Sequence, residues 1–433
     1  MTGLLLMLAA AWVPSAQAES DLKASVNGDI KTFYVATIPY DNALFEQAGL
    51  MPSDPISQGI LDGRLKVKAS HGNVRVVAHH VVTSTTGGPT FATGQTGLGA
   101  QSPQLVDLSW DGFDTAGNPD AMTLTGRTDR LSLGVTMGPL TLTAGRQPVT
   151  LGHGLAFTPM DLVNPFFPTV VDQEYKPGVD ALTADLYFGT SSQLSLITAY
   201  ADEDPVVDAE DWAVDGMVYV LYGQHTVGRS DIGLMLGEVR NDAVIGLTIA
   251  SSIGPVAVHA DATYTQPDSS EEDPFVRGVI GALWAATGDL TLTGELYHQS
   301  LGAENPDGYL SQLRTERYAR GELWLAGQTY ASGSVSYQVT PLILGTVAVI
   351  ANTADGSALL APNAAVSVSD EVQIVVGGFT GLGRRPAAVD QSDLVDPETG
   401  FPLGGDELYS SLGVRNEFGL YPSSAYLQMK AYF

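Results

Sequence analysis

The chain has 433 residues, and its 48 acidic against 20 basic side chains give a formal charge of -28, which excludes a nucleic-acid partner held through phosphate contacts. The absence of cysteine excludes a disulfide scaffold and thiolate metal sites, and it suits export through an oxidising periplasm. Beyond residue 18 no stretch reaches the roughly 20 apolar residues of a membrane helix. The longest, 342–350, is interrupted by Gly345 and Thr346, so a membrane protein of this sequence has to be a β-barrel.

The chain opens on a short apolar run, 4–13, followed by Ala16-Gln17-Ala18, the small-x-small form of a signal-peptidase site. Residues 1–18 therefore read as an export signal, although Met1-Thr2-Gly3 lacks the usual basic residue, and 19–433 as one domain. Period-2 runs then recur to the end: 22–38, 58–70, 73–85, 125–138, 140–148, 178–189, 192–201, 215–226, 230–240, 243–252, 255–265, 275–286, 290–300, part of 317–338, 342–352, 357–368, 372–382 and 422–433. That is eighteen strands, or sixteen if the weak region 301–330 changes the count. Tight turns at His71-Gly72, Gly138-Pro139, Thr190-Ser191, Gly228-Arg229, Gly254, Gly288-Asp289, Thr340-Pro341 and Asp370-Glu371 alternate with mostly long links, including 39–57, 86–124, 149–177 and 383–421. Short periplasmic turns alternating with long outer loops define an all-β fold, a transmembrane antiparallel up-and-down β-barrel.

Only the lumen of such a barrel is polar, so strand parity assigns the bases. In the second strand Leu61, Leu65, Val67 and Ala69 share a face, which turns Arg64, Lys66 and Lys68 inward. In the third, Val74, Val76, Ala78 and Val82 leave Arg75 and His79 inside, and in the fourth Leu131, Leu133 and Val135 do the same for Arg130. Arg64, Lys66, Lys68, Arg75 and Arg130 form a candidate basic arc lining the pore, against the plainer reading that they pair with lumen acids and fill a wall. Arg146 shares parity with Leu140, Leu142 and Ala144, so either a bulge near Gly145 re-aims it or it lies beyond the lipid zone. Acids concentrate in the outer links, as at Asp202, Glu203 and Asp204 or at Glu271, Glu272 and Asp273, where solvated loops would meet lipopolysaccharide and its bridging cations.

The link 149–177 is specified residue by residue without reading as a strand. With its edges it carries Asp161, Asp172, Glu174, Lys176 and Asp180 among Phe157, Met160, Phe166, Phe167, Pro159, Pro165, Pro168 and Pro177. A water-exposed loop has no use for so much apolar surface, whereas one folded against the inside of a barrel does, with proline reducing the entropy lost on ordering. As the third outer loop it narrows the lumen, and its carboxylates are expected to face the basic arc across the gap and to filter polar solutes.

The chain ends on Ala425-Tyr426-Leu427-Gln428-Met429-Lys430-Ala431-Tyr432-Phe433, strictly alternating and aromatic at the carboxy terminus. It resembles the terminal strand recognised by the outer-membrane assembly machinery. The segments GRQ, LGHGLAFTPMDLVNPFFPTVVDQEYKPGVDAL and YASGSVSYQVTPLILGTVAVIANTADGSALLAP, with the terminal AYF, resemble outer-membrane porins of the alginate-export-like kind. The resemblance implies an eighteen-stranded barrel, a passive channel in the bacterial outer membrane, a monomer, and a basic lumen built from Arg64, Lys66, Lys68, Arg75, Arg130 and Arg146. The acidic balance departs from a polysaccharide exporter, leaving diffusion of small polar or anionic solutes as the main reading and polysaccharide export as the alternative.

An outer-membrane hydrolase is the reading from another class. No Gly-x-Ser-x-Gly, His-Glu-x-x-His or phosphate-loop motif is present, adjacent His79 and His80 face opposite sides of a strand, and His153 in a Gly-His-Gly context suits a turn. No enzyme activity and no cofactor are expected. Asp172 and Glu174 near Asp161 offer only a weak calcium site, with salt bridges to lumen bases the stronger expectation.

Overall fold

The computed structural model describes residues 22–42, 54–87, 104–114, 122–165, 168, 174–201, 217–319, 322–387 and 411–433. The proposed signal, Asp172 and the acids at 202–211 lie outside the described residues. Alternation of apolar and polar side chains produces strands β1 (Lys23–Ile38), β2 (Ile56–His71), β3 (Val74–Gly87), β4 (Ser109–Asp114), β5 (Met122–Met137), β6 (Leu140–Gln147), β7 (Val179–Phe188), β8 (Ser192–Tyr200), β9 (Met217–Val227) and β10 (Ser230–Val239). They continue through β11 (Asp242–Ile253), β12 (Val256–Gln266), β13 (Phe275–Ala285), β14 (Leu290–Gln299), β15 (Thr329–Thr340), β16 (Ile343–Asn352), β17 (Ala358–Ser367), β18 (Val372–Leu382) and β19 (Ser423–Tyr432).

Neighbours in sequence pair antiparallel, and β1 pairs with β19, so 18 strands close a ring. Closure leaves no sheet edge, the condition for placing strands in lipid. At the seam Gly28 and Phe433 exchange backbone hydrogen bonds of 2.8 and 3.0 Å, and the Phe433 ring lies where a Cβ on residue 28 would sit. Outward positions such as Leu182, Leu196, Leu296 and Leu427 are exposed, while inward ones of the same sheet include buried Asp29, Lys31, Asp62 and Arg64. An apolar exterior around a polar interior is the inverse of a soluble protein and the pattern of a membrane barrel. The tight turns take positive φ, +56° at Gly72 and +59° at Gly138, which β-branched or bulky residues would strain.

Three details depart from strict alternation. The short β4, not visible as a strand in the sequence, stands outside the ring; it pairs with β5 from Ser109↔Arg127 to Asp114↔Thr123, above the point where β6 ends. The strand expected within 317–338 begins only at Thr329, because residues before it leave the wall: Tyr309, Leu310 and Trp324 are buried in the lumen. In β5 the register shifts so that His79 faces Arg130 and His80 faces Thr128, leaving Asp129 as an extra residue. That bulge lets Arg127 and Asp129 turn inward below one parity and Arg130 below the other.

Candidate constriction site

The third outer link, residues 148–178 (loop 3), folds into the lumen through its described residues, 148–165, 168 and 174–178. Its first part packs by apolar contact: Val149, Leu151, Met160, Leu162 and Val163 form one buried cluster with inward residues of β7–β11, among them Ile197, Val220, Met235 and Val244. Met160 is fully buried and lies against Gly246, where any Cβ would collide with its sulfur. Phe157 stacks on Tyr297 at 4.5 Å with planes 4° apart and meets Trp324 at 6.2 Å, which ties loop 3 to the link following β14. Such an aromatic pair adds about 0.5–1.5 kcal/mol beyond area burial.

Between those apolar anchors the loop backbone is captured by two wall carboxylates. Asp261 on β12 accepts from the amides of His153 and Gly154, both at 2.8 Å. Glu295 on β14 accepts from Leu155 at 2.7 Å, Ala156 at 2.8 Å and Phe157 at 3.2 Å, with His259 Nε2 2.7 Å from the same carboxylate. Five consecutive amides thus point at two side chains that are 2 % and 3 % exposed. A turn of bare backbone buried in a lumen needs acceptors, and buried carboxylates need donors; each requirement meets the other. His153 Nδ1 lies 2.7 Å from Thr248 Oγ1, whose hydroxyl donates to Asp261, so Thr248 does not donate to His153 and this trio is an anchor rather than a nucleophile-base pair.

The second part of the loop returns to the opposite wall. Glu174 pairs with Lys31 of β1 and Lys430 of β19, each at 3.0 Å, and accepts from Tyr432 at 2.7 Å. Tyr175 lies under Arg64 at 3.8 Å and Arg130 at 4.5 Å from its ring centroid, and its hydroxyl is 2.9 Å from His79 Nδ1. Lys176 pairs with Asp161 at 2.5 Å and donates to the Val149 carbonyl, while Arg130 donates to the Lys176 carbonyl at 2.8 Å. Burial pushes the Asp161 carboxyl up to about 6 against the pull of Lys176, and burial lowers Lys176. At Glu174 burial acts upward, but the Tyr432 hydroxyl with Lys31 and Lys430 outweighs it and holds the group at about 2.

These placements revise the expected opposition of loop acids and wall bases. Asp161 serves Lys176 inside the loop, Glu174 reaches Lys31 and Lys430 rather than the arc, and the residue that meets Arg64, Lys66 and Arg130 is Tyr175. Arg146 and Asp180 do not face the lumen. They pair directly across β6 and β7 without a register shift, on the parity of Leu131 and Leu182, and form two 2.9 Å hydrogen bonds covered by the backbone of Leu105 and Val106. Arg146 thus keeps the parity of Leu140, Leu142 and Ala144 and is tied to β7 through Asp180. Arg64 is engaged by Asp129 at 3.0 Å and Asp29 at 3.5 Å, and Lys66 by Asp29. Lys68 and Arg75 lie exposed on the lumen-facing register toward the tight-turn end.

Sequence reasoning missed Asp29, Asp62, Arg127, Asp129, Asp261 and Glu295. Asp29, Asp62, Asp261 and Glu295 were open to it as acids on inward parity; Arg127 and Asp129 were hidden by the bulge. Among the described residues no group of three or more His, Cys, Asp and Glu is placed to hold a metal ion. Beside Leu155 and Ala156 a cavity of about 330 Å³ is lined by Ser332, Asn363, Phe379 and Tyr426.

No protein-family model matches the chain, and no curated protein does. Solved structures do. OccK9 (OpdG) of Pseudomonas aeruginosa superposes with a TM-score of 0.53 at 9% identity, covering 95% of this chain and 98% of that one. A BenF-like porin of Pseudomonas fluorescens Pf-5 gives 0.52 at 10%, covering 95% and 98%. The OpdK of Pseudomonas aeruginosa solved with vanillate also gives 0.52 at 10%, again covering 95% and 98%. At this identity the likeness establishes the fold alone: the chain has the architecture of the 18-strand outer-membrane porins.

Proposed function

We propose that the protein is an outer-membrane channel for passive diffusion of small anionic solutes. The observation that carries this is loop 3 crossing the lumen of a closed barrel, fixed on β12 and β14 at one end and on β19, β1 and β2 at the other, beside a wall rich in cations. Fixed charge at a narrowing filters by sign, and low-dielectric walls strengthen its field. The cavity beside Phe379 and Tyr426 lies on the strand that carries Lys430, so apolar surface and a cation stand in sequence along β19. That pairing suits a solute with an aromatic body and a carboxylate, the chemistry of the vanillate found with OpdK.

The finer reading, a channel of the alginate-export-like kind, rests on the resemblance of 145–182 and 330–362, and polysaccharide export is its consequence. The tightly packed loop 3 favours small solutes instead. The barrel is proposed to act as a monomer without cofactor or catalytic step, with Phe433 serving its assembly and the acidic outer loops meeting lipopolysaccharide. Planar-bilayer recording tests the whole: discrete steps with a reversal potential on the anion side are expected, absence of steps removes the channel, and cation preference removes the role of the basic wall. Deleting 155–170 is expected to raise conductance.

A further inference from the structure

Glu174 and Tyr175 are adjacent, and between them they present a carboxylate and an aromatic ring to the cationic wall. The carboxylate sits on Lys31, Lys430 and the Tyr432 hydroxyl. The ring sits under Arg64 and Arg130 with its hydroxyl at His79. Lys31 and Arg64 are 3 % and 5 % exposed, whereas Glu174 is 48 % exposed and open to the lumen. The wall is therefore covered by the loop, and the cover is reachable by solute.

Two further facts point to a ligand site. The wall supplies Asp29, Asp62 and Asp129 to a larger number of cations, and Glu174 adds a carboxylate that belongs to no strand. His79, 3 % exposed, has its Nε2 without a hydrogen-bond partner, as has the buried Nε of Arg130.

We infer that Glu174 and Tyr175 are a tethered competitor, occupying the sites on β1, β2, β5 and β19 that the carboxylate and ring of a solute take during passage. They set specificity by how much of the pair a solute displaces: an anion without a ring replaces only Glu174, a neutral ring replaces only Tyr175, and a solute with both replaces the pair. The apparent affinity of the wall is reduced by the fraction of time the pair is in place. This rests on the channel reading for its physiological meaning but not for its test.

Benzoate is the probe, titrated calorimetrically into the full chain in detergent micelles and, separately, applied as a blocker of bilayer currents. E174Q and Y175L are expected to bind benzoate roughly tenfold more tightly than the parent, as for an occupant in place about nine-tenths of the time. Cyclohexanol, lacking charge and aromatic ring alike, is expected to show no gain. Unchanged or weaker benzoate binding in both variants overturns the inference, since the pair is then part of the binding surface or irrelevant to it. Heat-modifiable gel migration certifies folding; if Y175L fails it, the near-isosteric E174Q carries the decision. Tighter binding in a barrel that shows no current steps upholds the competitor and removes only the channel.

Discussion

The two ends of loop 3 are held by different physics. Around 149–163 the hold is apolar packing plus backbone amides on buried carboxylates, with the apolar cluster and the two acceptors buried and Leu155 exposed. Around 174–175 it is a half-exposed carboxylate and a ring under guanidinium groups. Dry contacts fix position and respond little to solution conditions, whereas wet electrostatic ones respond to salt, to pH and to competing ions. On the proposed channel reading, the first end sets where the loop narrows the lumen and the second what passes it.

The largest expected effect comes from breaking the first end. Replacing Glu295 by Ala strips three amides and His259 of their acceptor, at a cost of about 1–3 kcal/mol for each buried donor left without a partner. Larger, noisier single-channel conductance and rapid amide exchange over 153–157 are expected; unaltered conductance would mean the turn holds itself. Met160→Ala leaves a cavity against Gly246 and Met235 and is expected to cost about 2–5 kcal/mol. Its signature is exchange confined to 149–163, with reversal potential unchanged, and a shifted reversal potential would show that the two ends are coupled.

Salt separates the ends more gently. Between 0.1 and 1 M KCl the screening length falls from about 10 to 3 Å, so exchange at 174–175 is expected to rise while 153–157 stays protected. Equal loosening would contradict the assignment of dry and wet ends.

The smallest effect is on pH. Asp161, raised to about 6, contributes stability that is complete below its unfolded value and lost as pH rises through 6. Glu174, held at about 2, contributes stability that is present above its unfolded value and lost as pH falls through 2. Taking the loop from pH 7 to 5 is thus expected to increase protection near Asp161 and leave Glu174 unaltered, and the opposite slope at Asp161 would show its ion pair with Lys176 to be stronger than its burial.

The ring of strands was legible because alternation repeats one short rule many times. Leu61, Leu65 and Val67 opposite Arg64 and Lys66 state it once, and every later strand states it again, so a few misplaced boundaries and the missed β4 do not disturb the count. Loop 3 was legible as an inward fold because Phe157, Met160 and its prolines have no reason to face water. Its charges were not. Asp161, Glu174 and Asp180 look alike in sequence, yet one staples the loop, one reaches β1 and β19, and one closes β6 to β7 on the outer surface.

Sequence by itself determined the closed barrel, the polar lumen and the existence of a third loop folded into it, since these follow from local periodicity and from what apolar side chains avoid. Only tertiary structure decided which charges meet. Pairing across a lumen depends on a bulge at Asp129, on the parity of Arg146 and on the turn that aims five amides at Asp261 and Glu295. A shift of one residue in any of these reverses the face of a side chain, and nothing local in the sequence records it.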